Sequence, residues 1–115
     1  MNLPIFVENS KLPIWLSHIS PIEIHAITLG PVILCRGAIS DTTRCHESIH
    51  WEQYKECLIL GFIVLYVFFY LINLLKRQSG SEAYHNIPFE VEAYENESEV
   101  SYLNNRRHFA WVKNI

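Results

Sequence analysis

Hydrophobic and polar residues are distributed differently in successive parts of this chain. Residues 1–39 contain short apolar pieces that are rich in β-branched residues and separated by prolines, which favours strands and turns. From residue 41 onward, charged and bulky residues recur at three- and four-residue steps, the period of an α-helix. Residues 57–75 carry no charge, and residues 87–106 return to a polar pattern that predicts a second helix.

These patterns predict an α+β fold in a single domain of 115 residues. We expect short N-terminal strands over 1–39, arranged as a β-hairpin or a small sheet. One long helix should follow over 41–76, and a second helix over 87–106 should run antiparallel to it. Between the two helices, residues 78–81 predict a flexible turn that reverses the chain.

Residues 22–36 are the clearest strand candidate in the N-terminal part. Gly30 and Pro31 interrupt them, which indicates a bulge, a bend or an edge position, because proline cannot donate to a ladder. An exposed edge strand beside a helix could pair with the backbone of a bound peptide, or it could merely support that helix. Before this strand, Ile14, Trp15 and Leu16 are expected to anchor the N-terminal arm against the core.

The candidate chemistry starts with two histidines on the first long helix. His46 and His50 lie four residues apart, and on a helix such residues share one face, with Cβ atoms roughly 5–6 Å apart. Two imidazoles at this spacing can bind one zinc ion. Glu47 would then face the open position of the metal and take a proton from its bound water, as in the HExxH pattern of metallopeptidases. The same pattern also fits an amphipathic helix with two partly exposed histidines.

Two further features bear on this helix. Ser40 and Asp41 are N-cap candidates, and they would fix the start of the helix about a turn before His46. Gln53 continues the face of the two histidines and could support the site through a hydrogen bond, or it could face solvent.

A zinc site with two histidines needs a third protein ligand, and a glutamate of the second helix would complete a His₂Glu set. Glu90 and Glu92 are two residues apart and therefore point to nearly opposite faces of a helix, so only one of them can bind the metal. We expect Glu90, because the small Ala93 on its face lets the two helices approach closely. The remaining glutamates of this segment are interpreted as a solvated face: Glu95, Glu97 and Glu99.

The uncharged block 57–75 has nineteen residues, and as a helix it would span about 28 Å, close to the roughly 30 Å of a bilayer's hydrocarbon core. Lys76 and Arg77 follow it directly. The block predicts either a single membrane-associated helix or a helix of the protein core, in which case the protein would be cytoplasmic. Both interpretations stay open at the level of sequence.

The composition of the chain argues against several classes of function. The formal net charge is −3, so the chain lacks the basic surface typical of nucleic-acid-binding proteins, and we expect no nucleic-acid partner. The three cysteines include no C-x-x-C pair, which argues against a disulfide framework and against a thiolate zinc site. The N-terminal residues lack the charged and apolar regions of a secretory signal peptide.

The motifs carry a resemblance to a known group of proteins. The segment HESIH, followed by a long apolar helix and by AYHNIPFEVEAYENE, is similar to a family of small uncharacterised bacterial and phage proteins, which in turn resemble gluzincin metallopeptidases. The resemblance covers about residues 20–110. It implies zinc ligation by His46, His50 and Glu90, with Glu47 as the general base. Tyr94 stands where gluzincins often have an aspartate, and gluzincins usually have a larger body with a substrate cleft.

Two functions follow as expectations. The first is a zinc-dependent metallopeptidase that holds one Zn²⁺ ion and acts on a peptide or protein substrate. The second is a non-catalytic, membrane-associated module that binds a metal or a partner, with membrane contact through residues 57–75. Iron and manganese also suit histidine and carboxylate ligands. The sequence leaves the substrate and the oligomeric state open.

Overall fold

A computed structural model describes residues 4–18, 20, 24, 26–99 and 101–115. Its strands are β1 (Ile5–Val7), β2 (Ala26–Leu29) and β3 (Val32–Cys35). Its helices are α1 (Leu12–Ser17), α2 (Asp41–Glu56), α3 (Leu60–Leu75), α4 (Gly80–His85), α5 (Pro88–Asn96) and α6 (Tyr102–Asn105), and a 3₁₀ helix covers Ala110–Asn114. A small N-terminal sheet followed by helices confirms the predicted α+β class.

Among the described residues, the sheet has three strands in the order β1-β3-β2. The central strand β3 pairs in parallel with β1 and antiparallel with β2. Gly30 has a φ of +63°, a value that a two-residue hairpin turn requires and that glycine adopts at no steric cost. The predicted interruption at Gly30 and Pro31 is therefore the turn of a hairpin, and β2 lies at an edge of the sheet. Positions 22, 23 and 25 of the predicted strand lie outside the described residues.

Helix α1 occupies part of the arm for which the sequence predicts extended structure. Pro13 lies in the first turn of α1, where a helix tolerates proline because the missing N–H would have no partner there. The expected anchoring is wrong for Ile14 and Trp15, whose side chains are exposed, Trp15 by 75%, whereas Leu16 is half-buried. The arm joins the sheet through β1 and through Ser10, whose N–H donates to the Cys35 carbonyl at 2.7 Å.

Ser40, one of the two predicted candidates, caps the N-terminus of α2. Its side-chain oxygen accepts a hydrogen bond from the Thr43 N–H. This cap starts the helix at Asp41 and so places His46 in its second turn. The local sequence therefore fixes where the first histidine faces.

The structure corrects the expectation of one continuous helix over 41–76. Helix α2 ends at Glu56. Leu58 and Ile59 then take φ values of 58° and 65°, and α3 follows at an angle of 110° to α2. The sequence has no glycine or proline at the break. The bend is held by tertiary packing instead, because it lets Phe62 stack on Tyr54 with ring centroids 4.0 Å apart.

The break changes how the apolar block relates to a bilayer. Within the part of the chain that the structure describes, no single helix is both long enough and apolar enough to cross a membrane. Helices α2 and α3 satisfy the length and composition only as a pair, and the pair is bent by 110°.

The second half of the chain is divided more finely than predicted. Ser79 and Glu82 form a capping box at the start of α4, so the predicted flexible turn over 78–81 is partly helical. The predicted helix over 87–106 consists of α5 and the separate, short α6. Asn86 is the C-cap residue of α4, and Ile87 is the N-cap residue of α5.

Helix α5 still returns along α2 as predicted. Cys45 contacts the Asn96 carbonyl near the start of α2, and Gln53 donates to the Phe89 carbonyl near its end. The contacts therefore run in opposite order along the two helices, which makes them antiparallel. Ala93 is fully buried between Cys45 and Ile49, so a small residue does allow the close approach. The other core cluster joins α2, α3, α5 and the 3₁₀ helix: Trp51, Tyr54, Phe62, Ile87, Phe89 and Trp111.

Candidate metal centre

Three predicted site residues meet where α2 and α5 pack together. His46 and His50 lie one turn apart on α2, and Glu90 lies in the first turn of α5. The two Nε2 atoms are 3.2 Å apart, and Glu90 Oε1 lies 3.2 Å from the first and 3.0 Å from the second. The three atoms thus form a nearly equilateral triangle, and all three side chains are buried.

The outer nitrogen of the His46 ring is held by a glutamate. His46 Nδ1 lies 2.7 Å from Glu97 Oε2, and since a carboxylate can only accept, the ring nitrogen must donate. A neutral His46 therefore carries its hydrogen on Nδ1, and its Nε2 presents a lone pair to the triangle.

The His50 ring is fixed in the same way by an amide. Gln53 Nε2 donates to the Phe89 carbonyl and to Glu92 Oε1, at 3.0 and 2.9 Å. These partners only accept, so the orientation of the amide is determined and Gln53 Oε1 must face His50 Nδ1, 2.7 Å away. A neutral His50 consequently donates through Nδ1 and also presents a lone pair from Nε2. Of the two interpretations of Gln53, the supporting hydrogen bond is confirmed.

Three lone-pair atoms at 3.0–3.2 Å from one another require a positive charge between them. A tetrahedral zinc ion with bonds of about 2.0–2.1 Å would separate its ligand atoms by about 3.3 Å. The triangle is within a few tenths of an ångström of that spacing. Histidine nitrogens and a carboxylate oxygen also form a usual donor set for zinc, iron and manganese. The cluster can therefore hold a metal ion, and its chemistry does not select a single element.

The pKa shifts of His50 and Glu90 also favour a positive charge at the triangle. Burial disfavours charge on the His50 ring, yet the adjacent Glu90 carboxylate outweighs burial and raises the pKa of His50 to about 9. Burial likewise opposes charge on Glu90, but the two rings hold the pKa of its carboxyl well below the ordinary value. The site therefore takes up positive charge, either as a proton on His50 or as a metal ion that displaces that proton.

Glu47 lies beside the triangle and is not one of its corners. Its carboxylate is buried, and Oε2 accepts a hydrogen bond of 2.6 Å from the hydroxyl of Thr28 on β2. Burial raises the pKa of the Glu47 carboxyl, although the His50 and His46 charges and the Thr28 hydrogen bond act in the opposite direction. Thr28 is thus the contact through which the sheet reaches the candidate site.

Two tyrosines complete the surroundings of the ligands. Tyr66 on α3 donates to Glu90 Oε2 at 2.6 Å, so the second oxygen of that carboxylate is already bonded and Oε1 remains for a metal. Burial and the Glu90 charge raise the pKa of Tyr66, which keeps it a donor at neutral pH. The ring of Tyr94 lies edge-on against His46, with centroids 4.5 Å apart.

Glu92, the alternative to Glu90, lies in a different network. It is fully buried, and it accepts hydrogen bonds from Gln53, Tyr102 and Arg106. Arg106 also forms two bonds to Glu56 at the end of α2. Glu92 therefore supports His50 through Gln53, while Glu90 is the carboxylate at the triangle.

The interpretation of Glu97 as part of a solvated face is wrong, because Glu97 bonds to His46. A signal was present, since position 97 is two helical turns from Glu90 and lies on the same face. Sequence reasoning also missed Thr28 and Tyr66, which reach the site from β2 and α3, and no local pattern predicts such contacts. The other described histidines, His18, His85 and His108, lie outside the cluster; His25 is outside the described residues.

Comparison with known proteins adds no relative: no family model, no curated protein and no solved structure matches the chain. The buried triangle is a His-His-Glu cluster that could bind a metal ion.

Proposed function

We propose that the chain is a zinc-dependent metallopeptidase, in which His46, His50 and Glu90 hold the ion and Glu47 is the general base. The observation that carries the proposal is the triangle of three preorganised donor atoms, each fixed by a second hydrogen bond on its own side chain. Three protein ligands are typical of catalytic zinc, whereas structural zinc sites usually take four. Within the described part of the chain, the cluster contains three.

The residues around the triangle have roles that suit hydrolysis. Bound zinc would lower the pKa of a coordinated water to near 7 and polarise a carbonyl group. Thr28 holds one oxygen of Glu47, which leaves the other oxygen of that carboxylate to accept a proton. Glu97 and Gln53 keep both imidazoles in the tautomer that presents a lone pair.

The sheet offers a way to orient a peptide. β2 is an edge strand, and its Thr28 contacts Glu47 directly. A substrate backbone extended along β2 would therefore lie next to the proposed base. The Tyr54 hydroxyl already bonds the Thr28 carbonyl at 2.8 Å, so the substrate would pair with other positions of this strand.

The test is cleavage of a peptide library by the purified chain loaded with zinc, analysed by mass spectrometry, with Glu47→Gln as the principal variant. Loss of a general base should lower the cleavage rate by about 10²–10⁴-fold, while zinc content per chain stays at the wild-type value. Glu52→Gln is the matched control, because Glu52 lies on the same helix and pairs with Lys55. It should cleave like the wild type.

A second function is favoured by the burial of the triangle, whose side chains are at most 8% exposed. Such a closed site suits a structural metal in a non-catalytic binding module. In that case the zinc-loaded wild type would cleave no peptide, Glu47→Gln would change nothing, and His46→Ala would cost only stability. Equal activity of Glu47→Gln and wild type at equal zinc content would overturn the proposed role of Glu47.

A further inference from the structure

The outward face of α3 carries no polar side chain. Eight of its residues are exposed and all are large and apolar: Leu60, Ile63, Val64, Val67, Phe68, Leu71, Leu74 and Leu75. Leu58, in the turn before the helix, is 84% exposed and continues this apolar face. A contiguous surface of this kind marks a site of contact with another apolar phase or molecule.

The polar groups of α3 point inward instead. Asn73 is buried and donates to the Ala83 carbonyl at 3.0 Å, and the Tyr66 hydroxyl donates to Glu90. A surface helix of a globular protein has the opposite arrangement, with its polar side chains toward water. Because the exposed side chains of α3 have no hydrogen-bonding groups, the medium around the outward face need not supply hydrogen-bond partners.

We propose that α3 is an interfacial membrane helix, which lies along a bilayer surface with its outward face among the acyl chains. With 16 residues it is about 24 Å long, less than the roughly 30 Å of the hydrocarbon core, so it lies on the membrane and does not cross it. Lys76 and Arg77 are exposed directly after it, where they can contact lipid phosphates. This inference does not depend on the proposed zinc chemistry.

A second copy of the chain fits the face less well. Leu60, Val64, Val67 and Leu71 follow the four-three spacing of a coiled-coil seam. The flanking positions, however, are also apolar: Ile63 and Phe68 are exposed where a coiled coil carries charged residues. Protein interfaces have a polar rim with hydrogen bonds, and this face offers no side chain for one.

This orientation of α3 would place the metal centre close to the membrane surface. Tyr66 reaches Glu90 from the inward side of α3, so the triangle and the lipid-facing surface lie on opposite sides of one helix. A helix with its side chains is about 10–12 Å thick. The centre would therefore sit about one helix diameter above the acyl chains, on the water side, in reach of polypeptide close to the membrane.

The experiment is flotation of the purified full-length chain with vesicles of phosphatidylcholine and a minority of phosphatidylglycerol. The wild type should float with the vesicles. A triple variant, Val64→Gln, Val67→Gln and Leu71→Gln, should partition at least about tenfold less, since each substitution removes apolar surface from the lipid. A matched triple variant at exposed apolar positions of other elements, Val7→Gln, Leu29→Gln and Val112→Gln, should float like the wild type.

Circular dichroism and zinc content of each variant report whether it remains folded, and sedimentation without vesicles reports its oligomeric state. Failure of the wild type to float would overturn the proposal, as would equal flotation of the α3 variant. A wild-type dimer that the α3 substitutions dissociate, without vesicle binding, would assign the face to a second copy and equally overturn it. Glu47→Gln should float like the wild type, so this result and the peptidase result are independent.

Discussion

At the scale of single residues, the contact between Glu97 and His46 Nδ1 determines which ring nitrogen faces the His46–His50–Glu90 triangle. Its 2.7 Å distance and the charge of the acceptor make it a strong hydrogen bond. Tyr94 contacts the same ring edge-on. Glu97, almost one turn further along the chain, supplies the carboxylate that bonds the ring nitrogen.

We therefore expect Glu97→Ala to weaken zinc binding by about 10–100-fold, the usual loss when a partner of a metal-bound histidine is removed. The measurement is a competition titration with a chromogenic zinc chelator at neutral pH. Glu95→Ala is the matched control, because Glu95 is an exposed glutamate of α5, and its affinity should equal that of the wild type. Equal affinities of Glu97→Ala and Glu95→Ala would show that His46 is oriented by other contacts.

At the scale of elements, Arg106 joins α2 to α5. Its side chain is 3% exposed and bonds Glu56 on α2 and Glu92 on α5. Glu92 in turn holds Gln53, which holds His50. The relative position of the two helices, and with it the triangle, thus depends on one buried cation.

Arg106→Ala should lower the free energy of unfolding by about 3–5 kcal/mol, because it leaves two buried carboxylates without a cation. Arg106→Lys keeps the charge but cannot form the two bonds to Glu56 together with those to Glu92, so its loss should be smaller. Urea denaturation measures both. Arg107→Ala, at the exposed next position, should stay within about 0.5 kcal/mol of the wild type. A similar stability of the two alanine variants would contradict the proposed link.

The bonds between Arg106 and Glu56 also predict how the stability of the fold depends on pH. Burial of Glu56 raises its pKa, but hydrogen bonds from Arg106, the Phe109 N–H and Trp111 outweigh burial, and the pKa is lowered in the folded chain. A lowered pKa means that the stabilisation is present above about pH 4.3, where an unfolded glutamate titrates, and is lost as the pH falls through the folded-state value.

Glu56→Gln should therefore be less stable than the wild type at neutral pH, and the two should converge in acid, because protonated glutamate and glutamine are nearly isosteric. Free energies of unfolding from urea titrations between neutral pH and about pH 3 measure this difference. A constant difference over the whole range would mean that the ionisation of Glu56 is not what stabilises the fold.

At the scale of the whole molecule, the sequence predicted the parts of the site that follow from helical spacing. His46, His50 and Glu90 were identified because four-residue spacing and the small Ala93 are visible in the sequence. The Ser40 cap was also predicted, because serine is a preferred N-cap residue. The fold class followed from the change from β-branched, proline-containing segments to helical periodicity.

The remaining features depend on contacts between elements distant in sequence. The bend after Glu56 occurs without glycine or proline, because aromatic packing around Phe62 holds it. Thr28 is 19 residues from Glu47, and Tyr66 is 24 residues from Glu90, so no local period relates them.

Metal binding should therefore act on the molecule as a whole, because its ligands come from both α2 and α5. At a free zinc concentration about a hundredfold above the dissociation constant, the folded chain should gain about 2.7 kcal/mol. Chelation should lower the melting temperature of the wild type accordingly. His50→Ala should melt at one temperature with or without chelator, whereas His18→Ala, an exposed histidine on the N-terminal arm, should respond like the wild type.

The effect of chelation on the wild type distinguishes a metal ion that adds stability to a folded chain from one that the chain needs in order to fold. Gln53, Glu92 and Arg106 already hold α2 against α5 without the metal, so the metal-free chain should still unfold cooperatively. A chain that loses its secondary structure on chelation would show that these bonds do not suffice and that the ion is needed for folding. A melting temperature insensitive to both zinc and chelator would contradict metal binding at the triangle, because any ligand specific for the folded state must stabilise it.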